Sequence, residues 1–169
     1  AGAIGTPALA EVLVPERFNP VGRAAPRRWL VQKERSGGGP MMDFGCHRLD
    51  LLLYLLGDIR AVSAELSNVL FRKRDVEDHA TALLSFASGA TGHITASHCL
   101  GAPADVFVIR GTAGSLVASN LGSGRLEITT ASGTTREELP PHANLHFPLV
   151  EDFNEAALAG QDSRVSGEE

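Results

Sequence analysis

Residues 37–57, GGGPMMDFGCHRLDLLLYLLG, constrain the fold more than any other stretch of the chain. Three glycines lead into Pro40, a residue favoured at a first helical position because its missing N–H has no intrahelical partner to lose. Apolar residues then recur at helical spacing up to Gly57, so a helix is expected over 40–56 with Gly57 as its stop. Met42, Leu49, Leu52, Leu53 and Leu56 can cover one face of it. Asp43, His47 and Asp50 lie four and then three residues apart and share another face. A helix that presents an acid and an imidazole beside a leucine-rich face is a candidate active-site helix.

On either side of this helix the pattern changes. Ala8–Val14 reads as a strand stopped by Pro15, and 15–36 as a long irregular arm rich in proline and arginine. After Gly57 the period becomes two. Ile59–Leu66, His79–Phe86, Thr91–Cys99, Asp105–Arg110, Ser115–Ser119, Arg125–Thr130 and Thr134–Leu139 alternate and are separated by glycine-containing turns. Pro148–Ala159 reads as a closing helix ended by Gly160. The expected architecture is α+β: a largely antiparallel, open-faced sheet of about six strands with the 40–56 helix packed on one face. The other face carries threonines, serines and a few apolar side chains, which suits an oligomer surface.

Charge and composition narrow the function classes. A net charge of −5 argues against nucleic acid as an electrostatic partner, and the short basic clusters Arg23–Arg28 and Arg72–Arg74 read as solvated loops. No apolar run approaches the ~20 residues that span a bilayer, so no membrane is expected. Two cysteines, Cys46 and Cys99, make no disulfide framework and read as reduced thiols of a cytoplasmic protein. Residue 1 is not Met, and RVSGEE at the end resembles a helix start capped by Ser166, so a fragment of a longer protein is expected.

Several chemistries can be set against these residues. An imidazole that gives or takes a proton beside a carboxylate that holds a hydroxyl fits Asp43 and His47; so does a dipole-favoured acid with a histidine satisfied in an interface. Gly37–Gly39 could cradle a phosphate, but no G-x-G-x-x-G follows a strand and no Walker lysine is present, so close backbone packing at the helix entry is preferred. Asp43, His47 and His98 could meet in space, yet there is no H-E-x-x-H and no Cys/His quartet, and no metal is expected. No G-x-S-x-G elbow is present either. Trp29 either anchors the arm or walls a ligand cleft, with Arg27 or Arg28 reaching an anionic group. His142 and His146 read as loop residues.

The stretch GGGPMMDFGCHRLDLLLYLLGDIRAVSAE resembles the signature of the glucose–fructose oxidoreductase and inositol dehydrogenase (Gfo/Idh/MocA) family, GGG-x-x-x-D-x-G-x-H-x-x-D, with Gly37, Gly38, Gly39, Asp43, Gly45, His47 and Asp50 in the patterned places. HATALLSFASGATGHITAS, RGTAGSL and LVEDFNEAALAGQDSRVSGEE are similar to the family as well. The resemblance implies that 1–169 is a C-terminal substrate-binding and oligomerisation domain, with the fold shared by dihydrodipicolinate reductase and glyceraldehyde-3-phosphate dehydrogenase C-terminal domains. It implies hydride transfer between a sugar, cyclitol or related polyol and NAD or NADP, the dinucleotide being bound mainly by an N-terminal Rossmann domain. His47 would then be the acid/base and Asp43 the group that holds the substrate hydroxyl, with Asp50, Trp29 and Arg28 as supporting or substrate-binding residues. Neither G-x-G-x-x-G nor the family's Glu-Lys-Pro motif occurs here, so the chain alone is expected to be inactive and to hold no cofactor residues. Two other readings compete: a non-catalytic oligomerisation or ligand-sensing module, and a metal-dependent lyase or hydrolase.

Overall fold

The computed structural model describes residues 2–20 and 26–165. Part of the expected arm and of the Arg23–Arg28 cluster, and the expected Ser166 cap, lie outside the described residues. The strands are β1 (Pro7–Pro15), β2 (Ile59–Ser67), β3 (His79–Phe86), β4 (Thr91–Ser97), β5 (Val106–Gly111), β6 (Gly114–Ala118), β7 (Arg125–Thr130) and β8 (Gly133–Glu138). The α-helices are α1 (Lys33–Ser36), α2 (Cys46–Leu56) and α3 (Phe147–Ala159).

All eight strands join one sheet in the order β2-β3-β4-β1-β5-β6-β7-β8, so the expected count of about six is too low. Every turn-punctuated segment finds a partner, including β2 and β8, most of whose residues stay exposed. Two antiparallel meanders, β2–β4 and β5–β8, flank β1, which pairs antiparallel with β5 and parallel with β4. That parallel pair is the one exception to the antiparallel pattern among the described strands. It needs a crossover connection, and the arm, α2 and the β2–β3 hairpin supply it.

Helix α2 lies over the face that carries Ala10, Val12, Val14, Ala82, Leu84, Ile94, Ala96, Phe107 and Ile109, and drives Leu52 and Leu56 into them. Full burial of one leucine of this kind contributes about 2 kcal/mol. Small residues let the helix approach: a Cβ on Gly45 would stand 2.6 Å from Met41 Sδ and 3.4 Å from Ala96 Cβ. The helix does not begin as a regular α-helix. Met41–Gly45 form a π-helical turn, which widens the spiral just before α2. The wider turn puts Met41 rather than Met42 against the core, and Met42 and Leu53, both expected on the buried stripe, are exposed.

The arm is less irregular than its prolines suggest. Arg28–Val31 makes a 3₁₀ turn and Lys33–Ser36 one turn of α-helix, closed by Gly37 in the left-handed region. On the sheet's other face Glu11, Thr81, Leu83, His93 and Thr95 stand side by side through the β1–β4 and β3–β4 registers. Leu83 there is 62% exposed, as the open-face expectation requires. Helix α3 buries none of its residues, leaving Phe147, Leu149, Val150 and Phe153 exposed. No described helix is long and apolar enough to cross a membrane.

Candidate active site

The π-helical turn aims Asp43 into a cluster drawn from distant parts of the chain. Its carboxylate is 14% exposed. Oδ2 lies 3.4 Å from Nε2 of His98, the first residue after β4, and 3.6 Å from Nη2 of Arg27 in the arm. The His98 ring sits between Phe18 and Phe44, at centroid distances of 5.1 and 5.3 Å. The Arg27 guanidinium stacks over Phe18 at 4.9 Å. Arg27 takes a left-handed backbone conformation, with φ at 62°, which is uncommon outside glycine and clusters at functional sites.

His98 is fully buried. Burial above all, and then the nearby Arg74 cation, push its pKa down to about 4; the Asp43 carboxylate pulls the other way, and Arg27 adds to the lowering. The ring is therefore neutral near pH 7. Its backbone is clamped on both sides: the His98 N–H donates to Asp78 O at 2.8 Å, and its carbonyl accepts from the Phe18 N–H at 3.2 Å.

His47 follows Asp43 by one turn, on α2, and is exposed. Asp50 is exposed on the next turn. Neither has an ion-pair or hydrogen-bond partner among the described residues, so both present free polar groups on the turns that follow Asp43. Of the two arginines considered, Arg27 reaches the site, whereas Arg28 is half-buried in its turn and has no ion-pair partner among the described residues. Trp29 follows it and is 44% exposed. The sequence reading raised His98 only as a possible metal ligand and passed over Phe18. The clue it offered was a histidine placed directly after a strand of alternating small residues, a position that faces the helix-covered side.

Among the described residues no group of three or more His, Cys, Asp or Glu side chains is placed to hold a metal ion. Nor does the glycine run fit a dinucleotide. The Gly39 N–H donates to Glu77 Oε2 at 2.9 Å, and a Cβ at Gly39 would stand 2.0 Å from Glu77 O. A carboxylate already fills the place where a phosphate would sit and would repel one. Gly39 serves the close packing expected at the helix entry, whereas Gly37 has room for a Cβ and instead closes α1 in the left-handed region.

The model of the GFO/IDH/MocA C-terminal domain matches residues 1–117, which include the whole Asp43–His47–His98 neighbourhood. The chain belongs to this family. Its GFO/IDH/MocA relatives include a 1,5-anhydro-D-fructose reductase of Ensifer adhaerens, 26% identical over 146 residues that make up 83% of this chain and 44% of the relative. Among solved structures, an oxidoreductase from Agrobacterium radiobacter in complex with NAD+, L-tartaric acid and magnesium superposes with a TM-score of 0.81 at 26% identity, over 99% of this chain and 51% of that one. A levoglucosan dehydrogenase in complex with NADH and levoglucosan gives 0.82 at 25% identity, over 98% and 53%. The chain thus spans about half the length of these GFO/IDH/MocA proteins.

Proposed function

We propose that this chain is the substrate-binding half of an oxidoreductase that moves hydride between a sugar, cyclitol or related polyol and NAD or NADP. In this reading the dinucleotide is bound by an N-terminal Rossmann domain outside these residues, in keeping with a Gly37–Gly39 loop whose Gly39 N–H is already taken by Glu77. In this reading Asp43 accepts a hydrogen bond from the substrate hydroxyl and fixes its direction. His47, exposed one turn away, exchanges the hydroxyl proton. Asp50, Trp29 and Arg28 line the approach, and Arg27 is the cation nearest the carboxylate. Assembly runs through the open sheet face, where Leu83, His93 and the threonines of β3 and β4 present a flat surface to a second copy. The setting is cytoplasmic, in keeping with two free cysteines.

One observation carries the reading: a mostly buried carboxylate, Asp43 at 14% exposed, is followed one turn further along the same helical segment by an exposed histidine. The test is His47→Ala and Asp43→Asn in the full-length protein that carries this chain, assayed on a polyol and sugar panel with both dinucleotides. Turnover is expected to fall roughly 10²–10⁴-fold for His47→Ala, the usual contribution of a positioned acid/base, with dinucleotide affinity unchanged. Unchanged turnover removes His47 from the mechanism.

A further inference from the structure

His98 has no role in the scheme above, yet it is the costliest side chain near the site. It is fully buried, and neither ring nitrogen has a hydrogen-bond partner of good geometry among the described residues. Leaving a buried polar group unpaired costs about 1–3 kcal/mol. A phenylalanine would fill the slot between Phe18 and Phe44 without that cost, so packing alone does not account for an imidazole here.

The ring's nearest charged neighbour explains it better. His98 Nε2 and Arg27 Nη2 both approach Oδ2 of Asp43, at 3.4 and 3.6 Å, and Oδ1 receives no hydrogen bond from the described residues. The two approaching groups are not equivalent. Arg27 is 53% exposed, so solvent screens its pull on the carboxylate. His98 is walled by two aromatic rings and clamped through its own N–H and carbonyl. Hydrogen bonds of this kind are commonly long in an unliganded site and tighten when substrate binds.

We propose that His98 is a positioning residue: its Nε2–H anchors Oδ2 of Asp43 and so turns Oδ1 toward the substrate hydroxyl. The inference rests on the reading of Asp43 as the hydroxyl-binding group. It goes beyond that reading by assigning the residue that sets the carboxylate's direction. Without the anchor the carboxylate can rotate toward Arg27, and the hydroxyl it holds is no longer aligned for transfer.

Two variants of the full-length protein test this. His98→Phe keeps the ring packing and removes the donor; His98→Gln can place an amide N–H near the position of Nε2. His98→Phe is expected to lower kcat roughly 10²-fold, the scale of a misplaced reacting group, with a smaller change in KM and a melting temperature that does not fall. His98→Gln is expected to restore most of that loss. The independent readout is a ¹H–¹⁵N spectrum of histidine-labelled protein, in which His98 carries its proton on Nε2 and this resonance moves in Asp43→Asn. Wild-type kinetics in His98→Phe overturn the proposal, and so does a His98 proton on Nδ1 or a resonance indifferent to Asp43→Asn. Silent kinetics in Asp43→Asn instead overturn the reading of Asp43, and the spectrum still decides whether His98 anchors it.

Discussion

Gly39 and Glu77 meet at a distance that admits no side chain between them. The glycine N–H donates to Glu77 Oε2 at 2.9 Å, and any Cβ built on Gly39 would lie 2.0 Å from the glutamate's carbonyl oxygen. The contact ties the entry of the helical segment that carries Asp43 and His47 to the β2–β3 connection. Gly39 does not have a positive φ, so a substitution there fails for want of space and not through backbone strain.

Gly39→Ala is therefore expected to destabilise by at least the 1–3 kcal/mol typical of overpacking, because the obstacle is backbone and cannot rotate away. Urea denaturation measures it. Gly57→Ala is a useful contrast: nothing lies within 4 Å of its added Cβ, but φ is +80°, so its cost is conformational. A Gly39→Ala variant as stable as wild type would mean that the helix entry is looser than this geometry allows.

The buried His98 makes stability depend on pH. Its folded pKa, about 4, lies below the ordinary 6.5 of the unfolded chain. Between these values the unfolded state binds the extra proton, so stability is present above pH 6.5 and is lost as pH falls toward 4. The full loss is on the order of 3 kcal/mol. Chemical denaturation at a series of pH values should show this slope, and His98→Phe should flatten it.

Asp78 acts in a lower window. It is fully buried and accepts the backbone N–H groups of Val69, Leu70 and Phe71 at 2.8, 2.9 and 2.5 Å. Burial pushes its pKa up, but those three donors and the Cys99 thiol outweigh it and hold the carboxyl below its ordinary 3.8. Its stabilisation is present above pH 3.8 and is lost as pH falls below that. Asp78→Asn points an amide donor at a set of N–H donors, and about 3 kcal/mol or more is expected to be lost. Hydrogen exchange should localise the damage to residues 68–77.

The strands were readable because turn residues punctuate them, and Gly89, Gly124 and Gly160 do adopt the positive φ their places required. The place of β1 was not readable. Its parallel pairing with β4 depends on a crossover, and no local pattern reports one. The π-helical turn was hidden for the same reason, since Met41–Gly45 carries residues an α-helix would accept equally. At the site, Asp43 could be found by its spacing from His47. Its actual neighbours, Arg27 and His98, come from the arm and the end of β4, and only the folded sheet brings them together.

Helix α2 is held in rotation by one further pair. Arg48 donates from Nε and Nη2 to Asp105 Oδ1 at 2.9 and 2.7 Å, while Asp105 Oδ2 accepts the Gly122 N–H at 3.0 Å. Both side chains are mostly shielded, at 23% and 21% exposed, so solvent screens the pair less than a surface bridge. A double-mutant cycle with Arg48→Met and Asp105→Asn is expected to give a coupling of about 1–2 kcal/mol, toward the lower part of the range for charged hydrogen bonds. Because Arg48 follows His47 directly, losing the pair also loosens the direction in which His47 points. Asp105→Asn in the full-length protein should therefore lower turnover, but by far less than His47→Ala, since the imidazole itself remains. A loss equal to that of His47→Ala would make Asp105 part of the chemistry and not a brace for the helix.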